Sequence, residues 1–306
     1  MPYINGDEAY ILDNTGLQVD MATDIPFADA GFTDAQKAQA RKNIAAGGSN
    51  PNLLDNAYFV GGGSQLGDGV FPINQRGQSS YTGDGTQLDR WKTWEANDVI
   101  TLTANGVKFK SPANNGMFQY WSEFPTTKTV TFSAIIDGNI YSVTLPEGDT
   151  QYEYIGTGFK IGISRNGKCV YINSQNTEIL IAACKLELGT VSTLANDPPP
   201  DFGEELRKCK RYLRYVSLKR LPVFCDANYL VAMTTLEGLE MRATPTPTIV
   251  SAGHIFNPST SATSVPTAVS ILAFEYNTAT IQLSIPAAFN GFCIAVDSAI
   301  CLSAEL

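Results

Sequence analysis

The stretch Thr129–Gly148, "TVTFSAIIDGNIYSVTLPEG", decides the class of fold. Two runs rich in Val, Ile, Thr and Tyr flank Asp137-Gly138, with Asn139 following, and these are residues that tolerate the positive φ of a tight hairpin turn. The same design recurs on both sides. "DVITLTANGVKFKS" (98–111) reads as two strands around Asn105-Gly106, a type I′ signal. "KIGISRNGKCVYINS" (160–174) reads as two more around Asn166-Gly167, and the apolar strand "EILIAACKLELG" (178–189) follows. Short strands with turn signals between them indicate a sandwich over residues 50–196.

Outward from this core the text changes. "GGSNPN" breaks the chain near residue 50 and sets off an acidic segment, residues 1–49. Within it "FTDAQKAQARKNIAA" (32–46) predicts a short helix, with Thr33 as N-cap and Gln36 at the capping-box spacing. Its Ala35, Ala38, Ile44 and Ala45 make a thin apolar stripe, which calls for a neighbour or a copy of itself. On the other side, residues 197–220, "DPPPDFGEELRKCKRYLRYVSLKR", stop the strands with three prolines. A second capping-box start follows at Asp201 and Glu204. Phe202, Leu206, Cys209, Leu213 and Val216 fall at helical spacing, so a junction helix is expected with one apolar and one basic face. The basic face reads as a solvated or subunit-facing surface paired with acidic neighbours. Residues 221–306 return to short strands and predict a smaller C-terminal β-unit, in which Arg242 is the only Lys or Arg.

Composition narrows the function. The 306 residues are 43% hydrophobic, enough for real cores, but only 17% charged, which suits turn-rich β domains. A net charge of −9 and the lack of a basic tail argue against nucleic acid as a partner. No apolar run is long enough to span a membrane, and "MPYINGDEAY" does not read as a signal peptide. The six cysteines, 169, 184, 209, 225, 293 and 301, form no C-x-x-C pair and sit in apolar runs, so buried reduced thiols are expected.

Several stretches resemble parts of bacteriophage and prophage tail fibre or tail-tip proteins. "FTDAQKAQARKNIAA" resembles their T-x-A-Q-K-A-Q-A-R-x-N-I segment. "NQRG…Y…LDRW" (74–91) is similar to the opening of a jelly roll akin to carbohydrate-binding modules. "KLELG" with "EELRKCKRYLRY" resembles the junction joining that jelly roll to a distal domain, and "EMRATPTPTIV" is similar to a strand of distal knobs. The motifs stand in the family's order. The sequence departs from it where an aromatic is missing before the prolines and where Leu213 replaces a tyrosine. The resemblance implies a receptor-binding protein of the virion tail, assembled in the host cytoplasm. It implies a homotrimer held to other tail or baseplate proteins by residues 1–49, with jelly roll and β-knob directed at bacterial surface polysaccharide.

The residues that could meet such a glycan are aromatic, because pyranose C–H groups pack on π-faces while polar neighbours fix the hydroxyls. In "NQRGQSSYTGDGTQLDRWKTW" (74–94), Trp91 is expected inward and Trp94, three residues on, outward; Asp89 and Arg90 are expected to pair across neighbouring strands, and Tyr81 joins the candidates. In "FQYWSEF" (118–124), alternation puts Gln119, Trp121 and Glu123 on one face, the make-up of a sugar groove; a Trp121 packed under a loop is the competing reading. "GGGSQLGDG" (61–69) lacks the ending of a phosphate loop. Its Asp68 offers one carboxylate toward a structural calcium without a full ligand set, so no cofactor is expected. His254 with Ser251 has no nucleophile elbow or acid partner. Glycan cleavage would draw on Glu237, Glu240 or Glu275, but the long β-helical repeats of depolymerising tailspikes are absent. The expectation is non-catalytic, multivalent attachment; the alternatives are a tailspike-type depolymerase and a structural tail or baseplate decoration without ligand.

Overall fold

A computed structural model describes residues 3–5, 8–12, 18–20, 50–63, 69–113, 115–121, 127–218, 221–226, 229–235, 241–275, 278–286 and 291–304. The chain is mainly β and divides into two compact units, 1–49 and 50–306. In the first, β1 (Tyr3–Asn5), β2 (Glu8–Leu12) and β3 (Gln18–Asp20) form an antiparallel sheet. The helix expected at 32–46 lies outside the described residues.

The second unit begins with twelve strands. They are β4 (Ser80–Thr82), β5 (Gly85–Leu88), β6 (Trp91–Thr93), β7 (Val99–Thr103), β8 (Gly106–Lys110), β9 (Gly116–Tyr120), β10 (Val130–Ile136), β11 (Asn139–Leu145), β12 (Gln151–Gly156), β13 (Phe159–Ser164), β14 (Cys169–Ser174) and β15 (Ile179–Leu188). They make two six-stranded antiparallel sheets, ordered β11-β10-β15-β8-β7-β4 and β12-β13-β14-β9-β6-β5. A single apolar core draws on both sheets, including Ile100, Phe109 and Phe132 from the first and Trp91, Met117 and Ile161 from the second. Two layers therefore face each other, as the short strands and turn signals predicted.

The hairpins form where expected, with differences in their turns. Asp137 (φ 50°) and Gly138 (φ 78°) are both left-handed and connect β10 to β11 in two residues, the I′ pattern. Between β7 and β8 the two-residue turn is Ala104-Asn105, not Asn105-Gly106, and neither residue has positive φ. Gly106 opens β8 instead, because a Cβ there would lie 2.4 Å from the Ile181 carbonyl oxygen on neighbouring β15. Between β13 and β14 the left-handed residue is Lys168 (φ 48°) rather than Asn166 or Gly167.

A short helix, α1 (Phe202–Cys209), starts where the sequence placed it: the Glu204 N–H donates to Asp201 Oδ1 at 2.8 Å. It stops earlier than its periodicity implied. Leu213 and Val216 belong to strand β16 (Leu213–Ser217). The apolar face of α1 also needs no second copy to cover it. Phe202, Leu206 and Cys209 pack on Tyr58, Phe71 and Ile73 of the same chain. The basic face is paired locally, Arg207 with Glu204 and Lys208 with Glu205, each at 2.6 Å.

β16 leads into β17 (Leu221–Asp226), β18 (Tyr229–Thr235), β19 (Thr246–Ser251), β20 (His254–Asn257), β21 (Ala262–Ser264), β22 (Ala268–Glu275), β23 (Thr278–Ser284), β24 (Gly291–Val296) and β25 (Ala299–Ser303). A three-stranded sheet, β16-β25-β19, and a seven-stranded one, β21-β20-β24-β17-β18-β23-β22, share a second core of Val223, Leu230, Ile255, Ile281, Cys293 and Ile300.

The "LDRW" residues join these parts. Trp91 is fully buried, and its Nε1–H donates to the Asn56 carbonyl at 2.9 Å. The Asn56 amide group in turn binds the Ile73 backbone and the Asp89 carbonyl, while its backbone N–H donates to Glu205 on α1 at 2.8 Å. Asp89 and Arg90 do not pair across strands. Asp89 binds Arg76 at 3.0 Å, whereas Arg90 donates to Asp55 and to the Tyr120 carbonyl, each at 3.1 Å. Arg90 takes a left-handed φ of 71°, and its guanidinium lies 3.4 Å over the Tyr212 ring just before β16.

Candidate glycan-binding site

The second sheet has an inner and an outer face, and register fixes which residues belong to which. Trp91, Met117, Val170 and Ile161 are in the core. The alternate residues, Lys92 of β6, Phe118 of β9, Tyr171 of β14 and Gly162 of β13, stand side by side on the outer face, with Glu153 of β12 at the end of the row. A Cβ at Gly162 would meet the Tyr171 ring at 2.2 Å, so this ring lies across the glycine toward β12. There its hydroxyl donates to Glu153 at 2.6 Å and accepts from Gln151 at 2.9 Å. Burial and the adjacent Glu153 carboxylate push the Tyr171 phenol well above its ordinary range, and burial raises the Cys169 thiol to about 11.

Trp94 completes the cluster. It follows β6 directly and folds over the outer face, stacked on Phe118 at 4.3 Å between centroids and 17° between planes. Its turn is held by Asp98, whose Oδ2 accepts the N–H of Trp94 and of Glu95 at 3.2 and 3.1 Å. Phe118 is thereby buried, while Trp94 itself stays 41% exposed. The indole also meets the Tyr171 ring at 6.0 Å; Tyr120 packs edge-on against Phe118 at 5.0 Å with the Lys92 ammonium 5.7 Å from its ring, and Glu95, next to Trp94 in the chain, accepts from Asn115 at 2.8 Å. The result is an exposed indole fixed on a buried aromatic floor, with Glu95 adjacent in the chain and Lys92 on the same sheet face. This arrangement suits stacking against a sugar ring.

The predicted site residues fare unequally. Trp94 faces outward as expected. Gln119 and Trp121 do not line a groove, because their face of β9 is the inner one. Gln119 is buried and exchanges hydrogen bonds with the Asp55 backbone at 2.9 and 2.7 Å, and Trp121 is buried in the core. Tyr81 is likewise core, its hydroxyl donating to Asn74. Glu123 and Asp68 lie outside the described residues, as do Glu237, Glu240 and the side chain of Glu275. Alternation separates Gln119 and Trp121 from Phe118 and Tyr120 as expected, but the expected groove face is the buried one. Phe118 and Tyr120, alternating with Gln119, are the outward members, and Tyr171 with its opposed Gly162 carried no signal along a single strand.

Other chemistries find less. Ser251 Oγ donates to the Asp297 carbonyl at 3.1 Å, an ordinary structural bond. None of the six cysteines is joined in a disulfide, and five of them are buried. Among the described residues no three His, Cys, Asp or Glu side chains converge as a metal site. Comparison with protein-family models, curated sequences and solved structures returned no match.

Proposed function

We propose that the chain is a phage-type tail fibre or tail-tip protein whose jelly roll attaches a virion tail to bacterial surface glycans without cleaving them. The observation that carries this reading is Trp94, an exposed indole stacked on Phe118 and tethered by Asp98, on a sheet face otherwise closed by its own aromatics. Exposed single aromatics are common on proteins; one held in place on both its ring face and its backbone is already organised for a ligand. The sequence motifs supply the biological setting, including attachment through residues 1–49 and a homotrimeric assembly. Three weak contacts then give useful avidity through effective concentration. The test is retention of the purified chain on immobilised envelope polysaccharides from a panel of bacteria, with reducing ends assayed in parallel. Retention without released ends supports attachment. Release of reducing ends would favour the depolymerase, and no retention on any surface would favour a structural decoration protein.

A further inference from the structure

Three Asn-Gly pairs have described side chains: Asn105-Gly106, Asn115-Gly116 and Asn166-Gly167. In such a pair no Cβ shields the glycine nitrogen, which can attack the asparagine carboxamide carbon if the backbone is free to bring the two into line. The fold treats the three pairs unequally. Gly106 is buried at the start of β8, paired with Thr103 and pressed on the Ile181 carbonyl. Gly116 is buried at the start of β9, where a Cβ would lie 2.4 Å from the Ile172 carbonyl oxygen, and the Asn115 carboxamide donates to Glu95 at 2.8 Å. Asn166 and Gly167 are both exposed, in the turn 165–168 between β13 and β14, outside the strand ladder. The Gly167 N–H donates to the Ser164 hydroxyl at 3.0 Å, an exposed bond, and among the described residues no side-chain hydrogen bond holds the Asn166 carboxamide.

We infer that the fold singles out Asn166 as a site of self-modification by deamidation. A base takes the Gly167 amide proton, the nitrogen bonds to Asn166 Cγ, and the Cγ–N bond of the carboxamide breaks, releasing ammonia. The five-membered succinimide that remains is opened by water at either carbonyl. One opening gives aspartate; the other gives isoaspartate, with the backbone rerouted through Cβ. Both place a new carboxylate in a turn that carries Arg165 and Lys168. Isoaspartate also adds a methylene to the ring closed by the Lys168 N–H and the Arg165 carbonyl, a bond of 3.1 Å that holds the turn. The Lys168 carbonyl accepts the N–H of buried Trp121 at 3.1 Å, so the change sits one hydrogen bond from the sandwich core. Glycan binding by Trp94 holds or fails separately.

The full chain held at mildly alkaline pH, folded and in urea, provides the test. Peptide mapping that separates aspartate from isoaspartate is read beside released ammonia. In the folded chain Asn166 should convert at least about tenfold faster than Asn105 or Asn115, since misplacing reacting atoms by about 1 Å costs on the order of a hundredfold. In urea the three pairs should convert at similar rates, because no fold selects among them. Asn166 intact in the folded chain while the chain in urea converts, or Asn105 or Asn115 keeping pace with it, would overturn the assignment. So would an equal preference for Asn166 in urea, which would make local sequence the cause.

Discussion

Trp91 and Trp94 are three residues apart and have opposite tasks. Trp91 fills the core against Phe59 and satisfies the Asn56 carbonyl; Trp94 rests on Phe118 and faces water. Trp91→Ala should therefore cost about 3–5 kcal/mol in denaturant unfolding, the usual range for a buried large aromatic. Trp94→Ala should cost no more than about 1.5 kcal/mol, the worth of one aromatic pair. This difference was legible in the sequence, because strand parity separates positions 91 and 94. Parity did not say which face of 118–121 is inward, since both faces of β9 carry aromatics. Only the opposite sheet, reaching Met117 and Trp121, decides it. Tyr81 gives a pH prediction. Burial, opposed by a hydrogen bond from Gln78, lifts its phenol from 10.0 to about 12. The folded chain then keeps a proton that the unfolded chain gives up. The stability this contributes is complete below pH 10 and is lost as pH rises through about 12. Tyrosinate absorbance and melting temperature followed together over that range should show unfolding accompanying ionisation.

At the scale of elements, β15 shows how a motif can be structural. Its Lys185 and Glu187, from "KLELG", lie on the outer face of the first sheet yet are fully buried. The segment after β15 covers them. Lys185 binds Asp197 at 2.7 Å and Thr193 at 2.8 Å, and Glu187 accepts the Thr193 N–H and hydroxyl, both at 2.7 Å. Lys185→Met removes the cation that Glu187 and Asp197 share and leaves the buried Glu187 charge without it, so it should destabilise by about 3–5 kcal/mol. A loss under 1 kcal/mol in urea unfolding would show the strap to be loosely held. The strand itself was plain from its apolar run, but its polar residues named no partner, because the strap that binds them is irregular. The helix start at Asp201 was equally plain from local capping. Its end was not: just after the helix stops, Tyr212 meets the guanidinium groups of Arg90 at 3.4 Å and Arg242 at 5.8 Å from its ring centre, long-range contacts that local periodicity does not reveal.

For the whole molecule, the sandwich and the C-terminal sheets belong to one compact unit, and the contacts of α1, Arg90 and Tyr212 explain why. Motifs more than a hundred positions apart meet here, Asn56 with Glu205 and Arg90 with Tyr212. Two separate domains with a linker are what sequence segmentation suggests; a locked joint is what the contacts make. Calorimetry should give one cooperative transition for residues 50–306, and Tyr212→Ala should split it into two. The central claim is that the stacked indole of Trp94 receives a glycan, and titration calorimetry with a retained envelope polysaccharide tests it most directly. The wild type should bind, and Trp94→Ala should lose at least tenfold in affinity, about 1.4 kcal/mol, while melting as a folded protein. Equal affinity of the two proteins for the same polysaccharide would contradict the claim.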